Sequence, residues 1–385
     1  MAFAVVSHFL VDMMIGIWPV YKTLAKVDLA IAGLIGGACA IAGEGLQIFF
    51  GSLSDRGYRK TVILGGLIAS TASVCFVYTQ EVFGFFVFYL ITCMGSGAFH
   101  PAAASLVGSL PSNRMGLLMA IFTCGGAIGM ALSQVIFLQT HQFFEGQVFW
   151  LALPTAILAI LIYFSRIAGQ PKSSEATPHF NFKAFGDFFR RKDLRMLYFS
   201  QICSATMLWG TMFLLPDFLS VRGYEPWISF GGGHMMFILG SAAMMIPGGY
   251  LADRYSSRSV ILTAMISGMI LFYTLLFLPL LDDISTLFIL FLFGASLGVI
   301  NPVAVALGTR LEPNKKGMVS AFLMGLVWCV SEGIGVGGGG FIATFFTDDA
   351  PAKSLAILGT LFFIGVILSY YLPQEAEKTL ALESI

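Results

Sequence analysis

Apolar residues along this chain run in long unbroken blocks, with the polar positions gathered in short stretches between them. A block of about 20 apolar residues is what an α-helix needs to cross a bilayer. Such blocks lie near 2–22, 29–53, 61–79, 83–108, 115–138 and 148–167, and again near 195–219, 228–251, 259–280, 286–309, 318–345 and 352–372. None alternates polar and apolar with a period of two, which excludes a transmembrane barrel. The pattern predicts an all-α polytopic membrane protein with twelve transmembrane helices. The first block has no basic leader before it and no small-residue cleavage site after it, so it is expected to remain as a helix.

Composition agrees with this pattern. Of 385 residues, 57% are apolar and 11% charged, against about 25% charged in an ordinary soluble domain. Too few charges are present to cover a water-facing surface, which excludes a soluble enzyme, a disordered chain and a disulfide scaffold. Lys plus Arg equals Asp plus Glu at 21 each, so no net field argues for nucleic acid. The placement of the charges is informative. Alternating the loops puts 17 of the 21 basic residues on one side and only Lys22, Lys26, Arg222 and Lys353 on the other. By the positive-inside rule the first side is expected to be cytoplasmic, with both termini there and the protein in a cell inner membrane. The six cysteines fall in the apolar blocks and imply no disulfide framework.

The longest polar stretch, 169–193, carries Pro171, Pro178 and a basic cluster. It is expected to be a cytoplasmic linker between a six-helix bundle over 1–168 and a second over 194–385. The halves repeat: Gly51 and Asp55 recur as Gly249 and Asp253 at an offset of 198, and Gly97, Pro101 and Gly116 as Gly298, Pro302 and Gly317 at 201. Two pseudo-symmetric six-helix bundles form the architecture of a rocking transporter whose site lies between them near the midplane.

After the second block, Gly51-Ser-Leu-Ser-Asp55-Arg56-Gly-Tyr-Arg59-Lys60 resembles the signature loop G-x-x-x-D-R-x-G-R-R/K of the major facilitator superfamily, and Gly249-Tyr-Leu-Ala-Asp253-Arg254 with Arg258 resembles its second copy. Tyr58 stands where that pattern has Gly, with Gly57 one place early, so the tight turn is expected to be shifted. Within the superfamily, Ser7-His8-Phe9, Asp12, Gly16 and Pro19 in the first helix, and Gly95-Ser-Gly97-Ala-Phe99-His100-Pro101 in the fourth, resemble the fosmidomycin-resistance branch, as does the eleventh helix with Gly317, Gly325, Gly333 and Gly335. This resemblance implies proton-driven efflux of small compounds. Ala102 and Glu332 depart from that branch.

The residues also carry a reading of their own. An aspartate at a helix end can face a neighbouring helix N-terminus and an Arg partner, through contacts that break when a gate opens. Asp55, Arg56, Arg59, Asp253 and Arg254 are therefore cytoplasmic gate candidates. Acids within spans are costly, at about 2.5–3.5 kcal/mol for a central charge on insertion scales. Asp12, Glu44, Asp217 and Glu332 fall within spans, whereas no Lys or Arg falls in the middle of one. His8 and Asp12 are four residues apart and share a helix face, which makes them the leading proton-coupling pair, with Glu332 and Glu44 as further carriers. A structural hydrogen bond or a metal-ligand pair is the alternative for His8 and Asp12, although two ligands alone make no metal site. His100-Pro101 and Asn301-Pro302 occupy matching places in helices 4 and 10, where a proline can bend the helix beside a polar group. His100, Asn301, Trp18, Gln134, Trp209 and Trp328 are expected to line the substrate cavity. Asp217 and His234 form an outer gate or lie in the headgroup zone. Helix 5 shows a Gly116, Gly125, Gly129 spacing, and the Gly337–Gly340 run reads equally as a hinge or a packing seam.

Buried acids without buried bases favour a cationic, zwitterionic or neutral substrate over an anionic one. The expected protein is a monomeric proton-coupled exporter of small organic molecules working by alternating access. Its partners are protons, a small-molecule substrate and the bilayer, with no cofactor, no metal and no nucleic acid. An uptake symporter is the first rival, and an intramembrane enzyme or sensor the remote one. Gly294-Ala-Ser296-Leu-Gly298 matches the hydrolase G-x-S-x-G, but it lies inside an apolar helix where no nucleophile elbow forms.

Overall fold

A computed structural model describes residues 1–111, 114–165, 182–278 and 281–374. Among the described residues every regular element is helical. Ten helices are long and apolar enough to cross a bilayer, and Val148–Phe164 is a shorter apolar one. One of the ten, Leu29–Tyr78, is two helices that meet at Gly57, where φ is +97°. Only glycine takes that conformation without strain, so the signature turn is built on Gly57 and Tyr58 is left exposed. Counting those two separately and adding Val148–Phe164, twelve apolar helices lie among the described residues. They are α1 (Ala2–Leu24), α2 (Leu29–Leu53), α3 (59–78), α4 (Val82–Gly108), α5 (Met115–Phe143), α6 (Val148–Phe164), α7 (Lys192–Val221), α8 (Ile228–Arg254), α9 (Ser257–Phe277), α10 (Asp283–Leu311), α11 (Met318–Ala343) and α12 (Ala350–Tyr370). Most of the expected linker lies outside the described residues, apart from a short helix, Phe182–Arg190, that precedes α7.

Helix ends are set by side chains that satisfy orphaned backbone groups. The Asp28 carboxylate accepts from the Ala30 and Ile31 amides at the start of α2, and Asp282 accepts from the Ser285 amide at the start of α10. At the other end of α6, the Lys60 ammonium donates to the Tyr163 and Ser165 carbonyls at 2.7 and 2.8 Å, cation against negative dipole end.

Within each half the helices cross on glycine, and the sequence repeat marks the crossing. A Cβ on Gly97 of α4 would run into the Gly43 carbonyl of α2, and one on Gly298 of α10 into the Ser241 carbonyl of α8. Those are equivalent positions of the two halves. Without an apolar driving force between helices in lipid, this close backbone approach supplies the packing. Helix α1 bears on α5 in the same way, because Cβ atoms on Gly125 and Gly129 would strike the Val5 and Phe9 carbonyls. The helix-5 glycine spacing is thus a seam inside the first half. A Gly129→Ala variant is expected to lose about 1–3 kcal/mol, read as a lowered thermal unfolding midpoint. Gly45→Ala, which meets nothing within 4 Å, serves as the neutral control.

The halves meet along three helix pairs: α1 with α7, α2 with α11, and α5 with α8. The α2–α11 contact is glycine on glycine. Gly33 faces Val336 and Gly340, and Gly37 faces Gly337, so the Gly337–Gly340 run is a packing seam between the halves. This seam lies toward the side opposite the basic loops, since it involves the beginning of α2 and the end of α11. No contact of comparable extent joins α4 to α10 or α11 among the described residues. The two bundles therefore close on one side and part on the basic side.

Candidate functional site

The site builds outward from α1. His8 and Asp12 do share a face, with His8 Nε2 3.3 Å from Asp12 Oδ2. The structure adds a third member: His100 of α4 places its Nε2 3.1 Å from Asp12 Oδ1 and 3.1 Å from His8 Nε2. Both rings are held from behind. His8 Nδ1 donates to the Phe122 carbonyl of α5 at 2.8 Å, and His100 Nδ1 donates to the Ser96 carbonyl at 2.9 Å. Those carbonyls can only accept, so each ring carries its proton on Nδ1 and turns Nε2 toward Asp12. With both rings neutral, three lone-pair-bearing groups face one another, and a proton or a cation has to sit among them. His8 also stacks on Phe122 at 4.3 Å, and Gly126 of α5 leaves the space the cluster fills, since a Cβ there would collide with both His8 and Asp12. His8 is buried, whereas His100 keeps 28% of its side-chain surface exposed, so the cluster can be reached.

A second group lies on the dividing surface. Glu44 of α2 accepts from Gln47 Nε2 at 2.6 Å, and Glu332 of α11 is buried in the middle of its helix at 7% exposure. The two interact electrostatically across the halves, and Glu44 also interacts with His100 and Asp12. Helix α11 is wound into wider π-type turns at Ala321–Leu326 and Gly333–Gly338, on either side of Glu332. Such turns recur at functional sites.

The remaining cavity candidates divide. Trp209 and Trp328, from α7 and α11, meet at 6.3 Å and are part-buried, and Asn301 Nδ2 and Trp209 Nε1 are buried without a protein partner. Helix α10 breaks at Val299, just before Asn301. Gln134 is fully buried with neither amide atom paired. Trp18 does not line a cavity: its Nε1 donates to the Ala32 carbonyl at 3.2 Å, and its ring stacks on Tyr89 and packs on Phe76 inside the first half. Its indole was the largest apolar surface on α1, and the core claimed it.

The expected gate groups are also placed differently from the sequence reading. Arg59 is buried and donates to Ser105 of α4 and to Ser109 just past its end, both at 3.0 Å, with Asp55 in electrostatic range. Asp253 pairs with Arg310 at 3.5 Å, Arg254 lies over the Tyr255 ring, and Arg56 is exposed. These contacts stay within one half, as they must when the basic side is open. The pair that crosses the halves lies at the other end. Lys22, read from sequence as a loop charge, is fully buried in the last turn of α1 and forms an ion pair with Asp217 of α7, with its ammonium 4.4 Å over the Phe213 ring. Asp217 therefore belongs to the interface between the halves. His234 does not join it; its Nε2 donates to the Met130 carbonyl of α5 at 2.9 Å, a second bond between halves. Nothing in the local sequence distinguished Lys22 from Lys26.

Residues 1–336 match the Major Facilitator Superfamily. The inner membrane transport protein YajR of Escherichia coli (strain K12) is 28% identical over 235 residues, which cover 55% of this chain and 48% of that protein. An uncharacterized transporter of Buchnera aphidicola subsp. Schizaphis graminum (strain Sg) is 34% identical over 164 residues, 39% of this chain and 41% of that one. The chain thus spans less than half the length of these curated relatives. A bacterial homologue of the human lysosomal transporter Spinster, in an inward-facing and unoccupied conformation, superposes with a TM-score of 0.77 at 13% identity over 96% of each chain. A mutant of the nucleoside transporter NupG superposes equally well, at 0.77 and 13% identity over 96% of this chain and 98% of that one. At that identity the likeness is one of fold.

Proposed function

The chain belongs to the Major Facilitator Superfamily, and on that premise we propose that it is a proton-coupled secondary transporter that exports small organic compounds by proton antiport. Its basic side, by the charge bias, faces the cytoplasm, and its open conformation is the one that loads from there. The resemblance of α1 and α4 to the fosmidomycin-resistance branch supports export, and the shortage of bases in the middle of the cavity supports a cationic, zwitterionic or neutral cargo.

One observation carries the coupling: Glu44 and Glu332 stand on opposite bundles and feel each other across the surface that moves. A group couples to rocking when its environment differs between the two states. Asp12 and His8, the leading pair from sequence, have their partners inside one bundle, so rocking alters their access to solvent but not their contacts. Glu332 exchanges a carboxyl neighbour for solvent or cargo as the halves part. The main proton step is therefore placed on Glu332 with Glu44, and Asp12 with His8 lies beside it along the path from His100.

Proteoliposomes holding a trapped pH dye test this reading against a panel of cationic, neutral and anionic compounds. Antiport predicts that a carried compound enters while the lumen turns alkaline. Acidification on entry means uptake symport, and carriage without any proton movement removes the coupling.

A further inference from the structure

We infer that His8, Asp12 and His100 form a binding site for one divalent first-row transition-metal ion of the zinc type. The inference concerns the cluster inside the first bundle and does not rest on the transport reading.

Three observations carry it. First, the donor atoms converge: the His8 and His100 Nε2 atoms lie 3.1 Å apart, His100 Nε2 is 3.1 Å from Asp12 Oδ1 and His8 Nε2 is 3.3 Å from Asp12 Oδ2, so that one ligand atom from each residue lies within 4.8 Å of the other two. A zinc-type ion takes imidazole nitrogen and carboxylate oxygen at about 2.0–2.2 Å in a four-coordinate set whose last place can be held by water. His100 keeps 28% of its side-chain surface exposed, which gives an ion an entry path. Second, the rings are already set in the ligating tautomer. A metal-bound imidazole almost always donates its other N–H to a carbonyl or carboxylate, and both Nδ1 atoms here do so, to Phe122 and Ser96. A histidine serving only as packing needs neither its Nε2 aimed at a second Nε2 nor a carboxylate between them. Third, the donor set selects among metal ions. Two nitrogens and one carboxylate suit zinc-type ions, whereas calcium and magnesium ask for oxygen throughout. Gly126 is the complement on α5: any larger residue would occupy the space of the donors.

The experiment uses the full chain, free of any histidine tag, in lipid nanodiscs at one fixed pH, titrated with Co²⁺ and followed by its visible ligand-field bands. The expected result is saturation at one Co²⁺ per chain, displacement by Zn²⁺, and a loss of affinity of about 100-fold or more in His8→Ala and His100→Ala, since losing a ligand exceeds the 10–100-fold cost of losing a ligand's own partner. His141→Ala is expected to bind as the unaltered chain does. Absence of saturable binding, or affinity equal to that of the unaltered chain in either histidine variant, overturns the site. Should either variant fail to fold, X-ray absorption of the Zn²⁺-loaded unaltered chain decides: two imidazoles and a carboxylate oxygen are expected, and a shell without imidazole refutes the assignment. Because binding is read without a gradient or a cargo, its failure leaves proton coupling standing, and loss of proton coupling leaves the metal site standing.

Discussion

A Glu332→Gln variant is expected to lose at least about 100-fold of its pH-gradient-driven flux while still exchanging cargo across the membrane when no gradient is imposed. The substitution keeps the side chain's size and removes only its capacity to take up and release a proton. A buried position at 7% exposure tolerates such an isosteric change better than truncation, which would open a cavity. If Glu332 delivers the proton that resets the cycle, net transport stops and exchange, which needs no reset, persists. Glu44→Gln should show a smaller loss, because Glu44 retains Gln47 as a hydrogen-bond partner and stands as the second carboxyl of the pair. Flux of a compound identified in the dye assay, measured with and without a gradient in proteoliposomes, reads both quantities. Undiminished gradient-driven flux in Glu332→Gln would remove that residue from the coupling.

Much of this arrangement was legible in the chain. Length and continuity of the apolar blocks placed twelve helices, because a bilayer imposes one length on every crossing. The shifted turn at Gly57 was readable because one residue type serves that backbone conformation. The pair of His8 and Asp12 was visible because four residues is one helical turn. What stayed hidden was every partner fixed by tertiary packing. His100 joins His8 from 92 positions away, and the only hint was a proline kink whose purpose the sequence does not state. Gly126 escaped notice because its neighbours Gly125 and Gly129 carried the obvious spacing. Trp18 and Lys22 were misplaced for one reason: hydropathy assigns a residue to span or loop but does not say which side of a helix another bundle will cover. Arg59 shows the same limit, since a loop arginine became a buried clasp on two serines at the end of α4.

The Lys22–Asp217 pair should hold the closed side shut, and its loss should be the largest conformational effect of any substitution at the surface between the halves. Lys22 is fully buried and Asp217 nearly so, and the two come from different bundles, so the attraction exists only while α1 and α7 are together. Removing one partner of a buried pair costs about 3–5 kcal/mol because the other charge is stranded, whereas replacing both by apolar side chains is often neutral or stabilising. Lys22→Met alone therefore leaves a carboxylate facing Phe213 in a dry contact, and the closed side opens to hydrate it. A loss of that size corresponds to more than about a hundredfold in the closed-to-open ratio. Hydrogen exchange across 29–37 and 333–343, the glycine seam beside the pair, should quicken accordingly in Lys22→Met and in Asp217→Leu. The double variant Lys22→Met with Asp217→Leu should return to slow exchange, since α1 and α7 then meet on apolar surface. This reciprocal pattern separates a latch from a surface charge pair, which would contribute about 0–1 kcal/mol and leave exchange in the seam unchanged in all three variants. Rocking then has a defined opponent: whatever cargo or proton binding supplies must exceed the cost of parting one buried pair and unzipping the glycines behind it.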